Sequence, residues 1–231
     1  MFRTSHALQV VALAGFLLSS PSYADNIATS AVVYLHTEPG SWVGGGIGAP
    51  EVTWQHGIDG VFYGGPVYGN YNGGIQIRYD DGDYWSFGFA AASYDPATNT
   101  NGGRPLAVGF YDNAQRLPFR SPTRPGLDVS GNGRGDNTLS GWFDVLEVSY
   151  GANGALDRFA VDFRQFDESA NQTGPSLYGS LRFNSAIPVN PVPEPASSVM
   201  LLAGIAVFGA SFGRKRARTK SCGASSPVRA A

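Results

Sequence analysis

No stretch between residues 25 and 187 repeats its apolar residues at a helical interval, and that absence narrows the fold more than any motif does. Short β-favouring runs alternate instead with turns rich in Gly, Asn, Asp and Pro. Residues 31–35 read as a first strand, closed by Glu38-Pro39-Gly40, and residues 51–55 alternate in period two. Ile75, Ile77 and Tyr79 line one face of the next strand, with Gln76 and Arg78 on the other. Asp80-Asp81-Gly82-Asp83 then turns the chain into a strand over 84–92. A further short strand is expected over 106–111, and Pro118, Pro122 and Pro125 mark 116–126 as loop. The clearest pair, 142–150 and 156–166, is joined by Asn153-Gly154, a hairpin turn; 177–183 is the last strand. The pattern predicts one all-β domain over 25–187, a β-sandwich or jelly-roll-like body.

Both ends of the chain carry a different kind of information. Arg3 precedes an apolar run over 7–18, Pro21 breaks it, and Ser22-Tyr23-Ala24 offers a cleavage site. Residues 1–24 thus read as a signal peptide removed after Ala24. At the other end, a Pro-rich linker over 188–195 closes on Val192-Pro193-Glu194-Pro195. Residues 196–213 contain no ionisable side chain, and as a helix they reach about 27 Å, a marginal membrane span. Arg214, Lys215, Arg216 and Arg218 follow at once, a basic stop-transfer cluster that keeps residues 214–231 cytoplasmic. The two prolines hold Glu194 extended, and an extended peptide beside a span is a good protease substrate.

The order of these three features resembles the PEP-CTERM tail of Gram-negative envelope proteins. That resemblance implies recognition of Pro193-Glu194-Pro195 by a membrane-embedded exosortase, then cleavage and transfer to the envelope surface. The expected itinerary is export across the inner membrane, transient anchoring by the C-terminal helix, and release to the envelope or outside.

Composition matters once the ends are set aside. Residues 25–190 hold nine Arg, no Lys and seventeen Asp plus Glu, a formal net charge of -8 that the whole-chain value of -2 conceals. An acidic body argues against nucleic acid as a partner. The single cysteine, Cys222, falls in the tail, so the body has no disulfide of its own.

Parts of the body also resemble a domain of exported bacterial proteins that carry the same kind of tail. The matching stretches are 40–46 (GSWVGGG), 125–135 (PGLDVSGNGRG) and 162–165 (DFRQ). The resemblance implies a cysteine after the Gly-Arg-Gly stretch and another just after the Gln, joined to link that loop to the last hairpin. Asp136 and Asp167 stand at those places. No activity comes with the resemblance.

Chemistry-bearing patterns in the body are few. Asp128, Ser130, Asn132 and Asp136 resemble the first half of a calcium loop, with Leu139 where the closing acid belongs and Asp167 or Glu168 as substitutes. A Gly/Asn/Asp turn favours the same residues, so calcium is a speculative cofactor. Asp80, Asp81 and Asp83 are a weaker version of the idea. His36 and His56 lack zinc-motif spacing, and there is no G-x-S-x-G elbow. Asp144, Glu147, Asp162, Asp167 and Glu168 supply carboxylates of the kind glycosidases pair, without a motif that selects two of them. Trp42, Trp54, Trp85 and Trp142 are either core or a sugar-stacking face, and Arg116, Arg120 and Arg124 lie in the Pro-rich loop. The expectation is an exported, non-catalytic envelope or matrix protein, with exosortase and exopolysaccharide as partners. The alternatives are a carbohydrate-binding module and, behind it, a glycan-active hydrolase.

Overall fold

The computed structural model describes residues 26–66, 73–151 and 154–189, all within the unit that ends at Val189. The expected signal peptide, sorting motif, apolar helix and basic cluster lie outside the described residues.

Eleven strands form one sheet. They are β1 (Asn26–Ile27), β2 (Ala31–Thr37), β3 (Glu51–Gln55), β4 (Val61–Pro66), β5 (Ile75–Asp80), β6 (Tyr84–Ala90), β7 (Gly109–Arg116), β8 (Gly126–Gly131), β9 (Leu139–Tyr150), β10 (Leu156–Asp167) and β11 (Ser176–Phe183). Their spatial order is β1-β4-β5-β6-β8-β7-β9-β10-β11-β2-β3. Every pairing is antiparallel except β7 with β8, which run parallel over only two residue pairs. The all-β class is as expected. Two separate sheets are not what forms: a single sheet curls until its halves face each other, and the short β7–β8 pairing joins them.

Aromatic side chains show the curl. Phe89 of β6 meets Phe143 of β9 and Phe159 and Phe163 of β10, with ring centres 5.4 to 5.6 Å apart. From the far edge, Trp54 of β3 stacks on Tyr79 of β5 at 4.5 Å. The core is thus Phe-, Leu- and Val-rich side chains at alternate strand positions, packed between the two halves. Glycines make room for rings, both of the adjacent strand and of the facing half. A Cβ on Gly179 of β11 would come within 2.1 Å of the Phe163 ring, and one on Gly64 of β4 within 2.7 Å of Phe183.

Several strands differ from expectation: β4 lies where none was expected, β9 begins at Leu139 and not at 142, and β7 and β8 depart furthest. β7 begins at Gly109 and continues to Arg116, beyond the expected 106–111. Asp112 and Asn113 form a bulge opposite β9, with Asn113 at φ +54, so a polar pair typical of a turn sits inside a strand. Residues 126–131, expected as the end of a loop and the start of a metal-loop pattern, form β8. Leu127 and Val129 enter the core while Asp128 and Ser130 take the alternate face.

After β11 the chain doubles back over the outer face of the sheet. Arg182, on the outward side of β11, is 1% exposed because residues 184–189 cover it. Its guanidinium donates to the carbonyls of Ile187 and Pro188 beneath this strap, and to those of Val161 and Leu181. It also pairs with Asp162 at 2.9 Å. Ser185 adds a hydrogen bond to Glu147 of β9.

Candidate functional site

The residues that sequence singles out most often gather at one end of the body, where β8 leaves the sheet. A tight turn follows it: the Arg134 N–H donates to Gly131 O at 2.9 Å, and Asn132 and Gly133 take positive φ. Two side chains then tie this loop to the segment after β2. Asn132 Nδ2 donates to Gly46 O at 3.0 Å, and Arg134 Nη1 donates to Trp42 O at 3.1 Å. The Arg134 guanidinium lies 4.5 Å over the Trp42 ring, whose outer side faces solvent.

Beneath that loop is a buried polar cluster. Gln165, at a core-facing position of β10 and fully buried, accepts from Val129 N–H at 2.8 Å. Its amide donates to Val129 O at 3.0 Å and to Asp136 Oδ2 at 2.9 Å. One turn of strand further on, Asp167 Oδ2 accepts from the Ser41 hydroxyl and from Val43 N–H. Asp136 is 1% exposed and Asp167 9% exposed. The other oxygen of each carboxyl, Oδ1, is buried with no donor from the rest of the protein. Burial, and then the charge of Asp167, push Asp136 up to about 8. The two positions where the resemblance implies linked cysteines are therefore neighbours in space, filled by a pair of acids.

Glu168 does not join the pair but caps the same loop, its carboxylate accepting from the N–H groups of Asn137 and Thr138. Asp136 thus closes the loop onto β10 from beneath, out of reach of solvent.

Beside the loop a cleft of about 370 Å³ opens between the β5–β6 turn and the end of β8. Asp83, Tyr84, Ser130, Asn132 and Arg134 line it, and Tyr84 presents half its surface to water. Asp80 and Asp81 are engaged by their own turn, accepting from Gly82 N–H and Asp83 N–H.

The remaining candidates are dispersed. Asp128 faces Arg116 at 3.5 Å, and burial raises its pKa against the pull of that cation. Ser130 sits opposite Ser86 in the β6–β8 ladder. Of the calcium pattern, Asp136 comes up against another carboxyl group, that of Asp167. Among the described residues no group of three or more His, Cys, Asp or Glu is placed to hold a metal ion. Glu147 is taken up by Ser185 and by Arg158, and Asp162 by Arg182. Trp54 and Trp85 belong to the core. Trp142 packs between Phe110 and Tyr178 with its plane tilted 36° and 63° to theirs, so these rings do not form a flat platform. His36 contacts Glu51, and His56 Nδ1 accepts from Phe62 N–H.

Gln165 is the site residue that sequence reading missed. Its signal was available: Phe159, Val161, Phe163, Gln165 and Asp167 share one parity of β10, and the last two are polar where the pattern demands apolar.

Val192, Pro193, Glu194 and Pro195, with Arg214, Lys215, Arg216 and Arg218, lie outside the described residues. Among the described residues no helix is long and apolar enough to cross a membrane. The family model for the PEP-CTERM protein-sorting motif matches residues 191–217. No curated protein and no solved structure matches the chain.

Proposed function

We propose that this chain is an exported, non-catalytic envelope or matrix protein, processed at its PEP-CTERM signal by an exosortase and associated with exopolysaccharide. The observation that carries the reading is the position of the motif. It begins at residue 191, directly after the described body ends at Val189, so one folded domain is followed at once by a sorting address. Pro193 and Pro195 disfavour helix on both sides of Glu194, which suits a protease that takes an extended peptide. The uncharged run over 196–213 supplies temporary membrane residence, and the cations after it fix the orientation. Support for the polysaccharide association is the exposed cleft, with one aromatic face and several hydrogen-bonding groups around it.

The test is expression in a producing cell with and without its exosortase, beside a Glu194→Ala variant. A shortened, surface-released product in the first case, and full-length membrane-associated chain in the other two, is the expected result. Equal mass and equal location in all three would overturn the sorting reading. Retention of the released body on the strain's own polysaccharide tests the second half of the proposal, and passage through unretained would remove it.

A further inference from the structure

We infer that Asp136 and Asp167 form a proton-binding site, in which one proton held between two buried carboxyl groups fastens the loop after β8 to the end of β10. The geometry leaves little alternative. Each carboxyl has one oxygen satisfied, Asp136 Oδ2 by Gln165 and Asp167 Oδ2 by Ser41 and Val43. Each has the other oxygen buried and without a donor. Two ionised carboxylates in that position repel one another and lose their hydration, which is costly on both counts. A proton on Asp136 removes one charge and turns its carboxyl into a donor to Asp167, satisfying both orphan oxygens at once.

Among the described residues no cation pairs with either carboxyl. From the end of β10, Asp167 and Glu168 act on Asp136, and both disfavour its ionisation. From the loop itself, Arg134 is turned away onto Trp42. The charged residue of β8, Asp128, is occupied by Arg116. From the segment after β2, Glu38 is bound to Arg164, and what faces the pair is the uncharged Ser41 hydroxyl. Burial and the neighbouring carboxylate accordingly lift Asp136 to about 8, from an ordinary value near 4 in the unfolded chain. Between those limits the folded state binds one proton more than the unfolded state. The stabilisation is fully present below about pH 4 and is lost as pH rises through about 8.

The experiment compares the purified full chain with Asp136→Asn and Asp167→Asn, by urea unfolding at several pH values and by infrared spectroscopy. The unfolding equilibrium of the unsubstituted protein should shift by up to about tenfold per pH unit between about pH 5 and about pH 8, relative to Asp136→Asn. An asparagine at 136 donates the same hydrogen bond without titrating. A protonated-carboxyl band should be present in the native protein at neutral pH and absent from Asp136→Asn. Identical pH profiles with no such band would overturn the inference. So would calcium chloride raising the unfolding midpoint of the unsubstituted protein alone at neutral pH, since the pair would then hold a metal cation. If the variants do not fold, the infrared band of the native protein decides by itself.

Discussion

Arg182→Met removes the guanidinium that holds the C-terminal strap while keeping a long side chain in its place. The structure allows the loss to be worked out. Arg182 is almost wholly buried, its partner Asp162 is largely so, and the pair stands at 2.9 Å. Taking the cation away strands a buried carboxylate, a change that costs about 3–5 kcal/mol. Asp162 keeps the hydrogen bond from Ser180 at 2.6 Å, which places the expectation nearer the lower figure. The carbonyls of Ile187 and Pro188 also lose their donor, but they lie in a surface segment and can turn to water. A loss of about 3 kcal/mol corresponds to a fall in Tm of roughly 6–12 °C for a body of this size. Urea unfolding followed by the fluorescence of the buried Trp85 measures it, and limited proteolysis reports whether residues 184–189 come free. Adding Asp162→Asn should recover part of the loss, because the stranded charge goes with it. A change below about 1 kcal/mol, with the strap still resistant, would refute the assignment of Arg182 as its anchor.

Two further variants address other parts of the body. Gly179→Ala forces a Cβ against the Phe163 ring and the Leu35 side chain, its neighbours on β10 and β2, and should cost about 1–3 kcal/mol by chemical denaturation; a neutral result would mean the Phe163 ring does not lie over Gly179 as described. Asp136→Cys with Asp167→Cys places two thiols where the acids now meet. Oxidised, the crosslink closes a loop of some thirty residues and should stabilise by about 4 kcal/mol, seen as a mobility shift on a non-reducing gel and a raised midpoint; thiols that stay reduced under air would show the side chains do not approach as the acid pair indicates.

How much of this was legible in the sequence depends on the range of the interaction. Residues 51–55, 75–80 and the long β9–β10 hairpin were readable because period-two alternation and a local turn define them within a dozen residues. β8 was not, because Asp128, Ser130 and Asn132 are the residues of turns and of calcium loops alike, and only the pairing with β6 decides for strand. The Asp112-Asn113 bulge hid half of β7 in the same way. The strand order was out of reach altogether: β2 pairs with β11 across most of the body, and no local pattern encodes that. At the site, the calcium-like pattern and the resemblance point to Asp136 and Asp167 one by one, yet the proton between them follows from burial. Arg182 was invisible for a related reason, since it occupies an outward position that a later segment covers.

These three places share a logic that bears on what the body is built to withstand. Without a cysteine, segments distant in sequence are closed by buried or half-buried polar clamps. Ser41 and Asp167 are 126 residues apart, Glu38 and Arg164 likewise 126, and Glu38 and Ser176 138. The aromatic core between the sheet halves contains few groups that titrate near neutrality, so its contribution changes little with pH. The clamps do depend on charge and protonation. Rising pH should therefore loosen the end where β8, β10 and the segment after β2 meet before it melts the sheet. Hydrogen exchange would show this as lost protection at Val43 and Val129 while the β9–β10 ladder stays closed. Simultaneous loss in both regions would mean that the clamps and the core form a single cooperative unit.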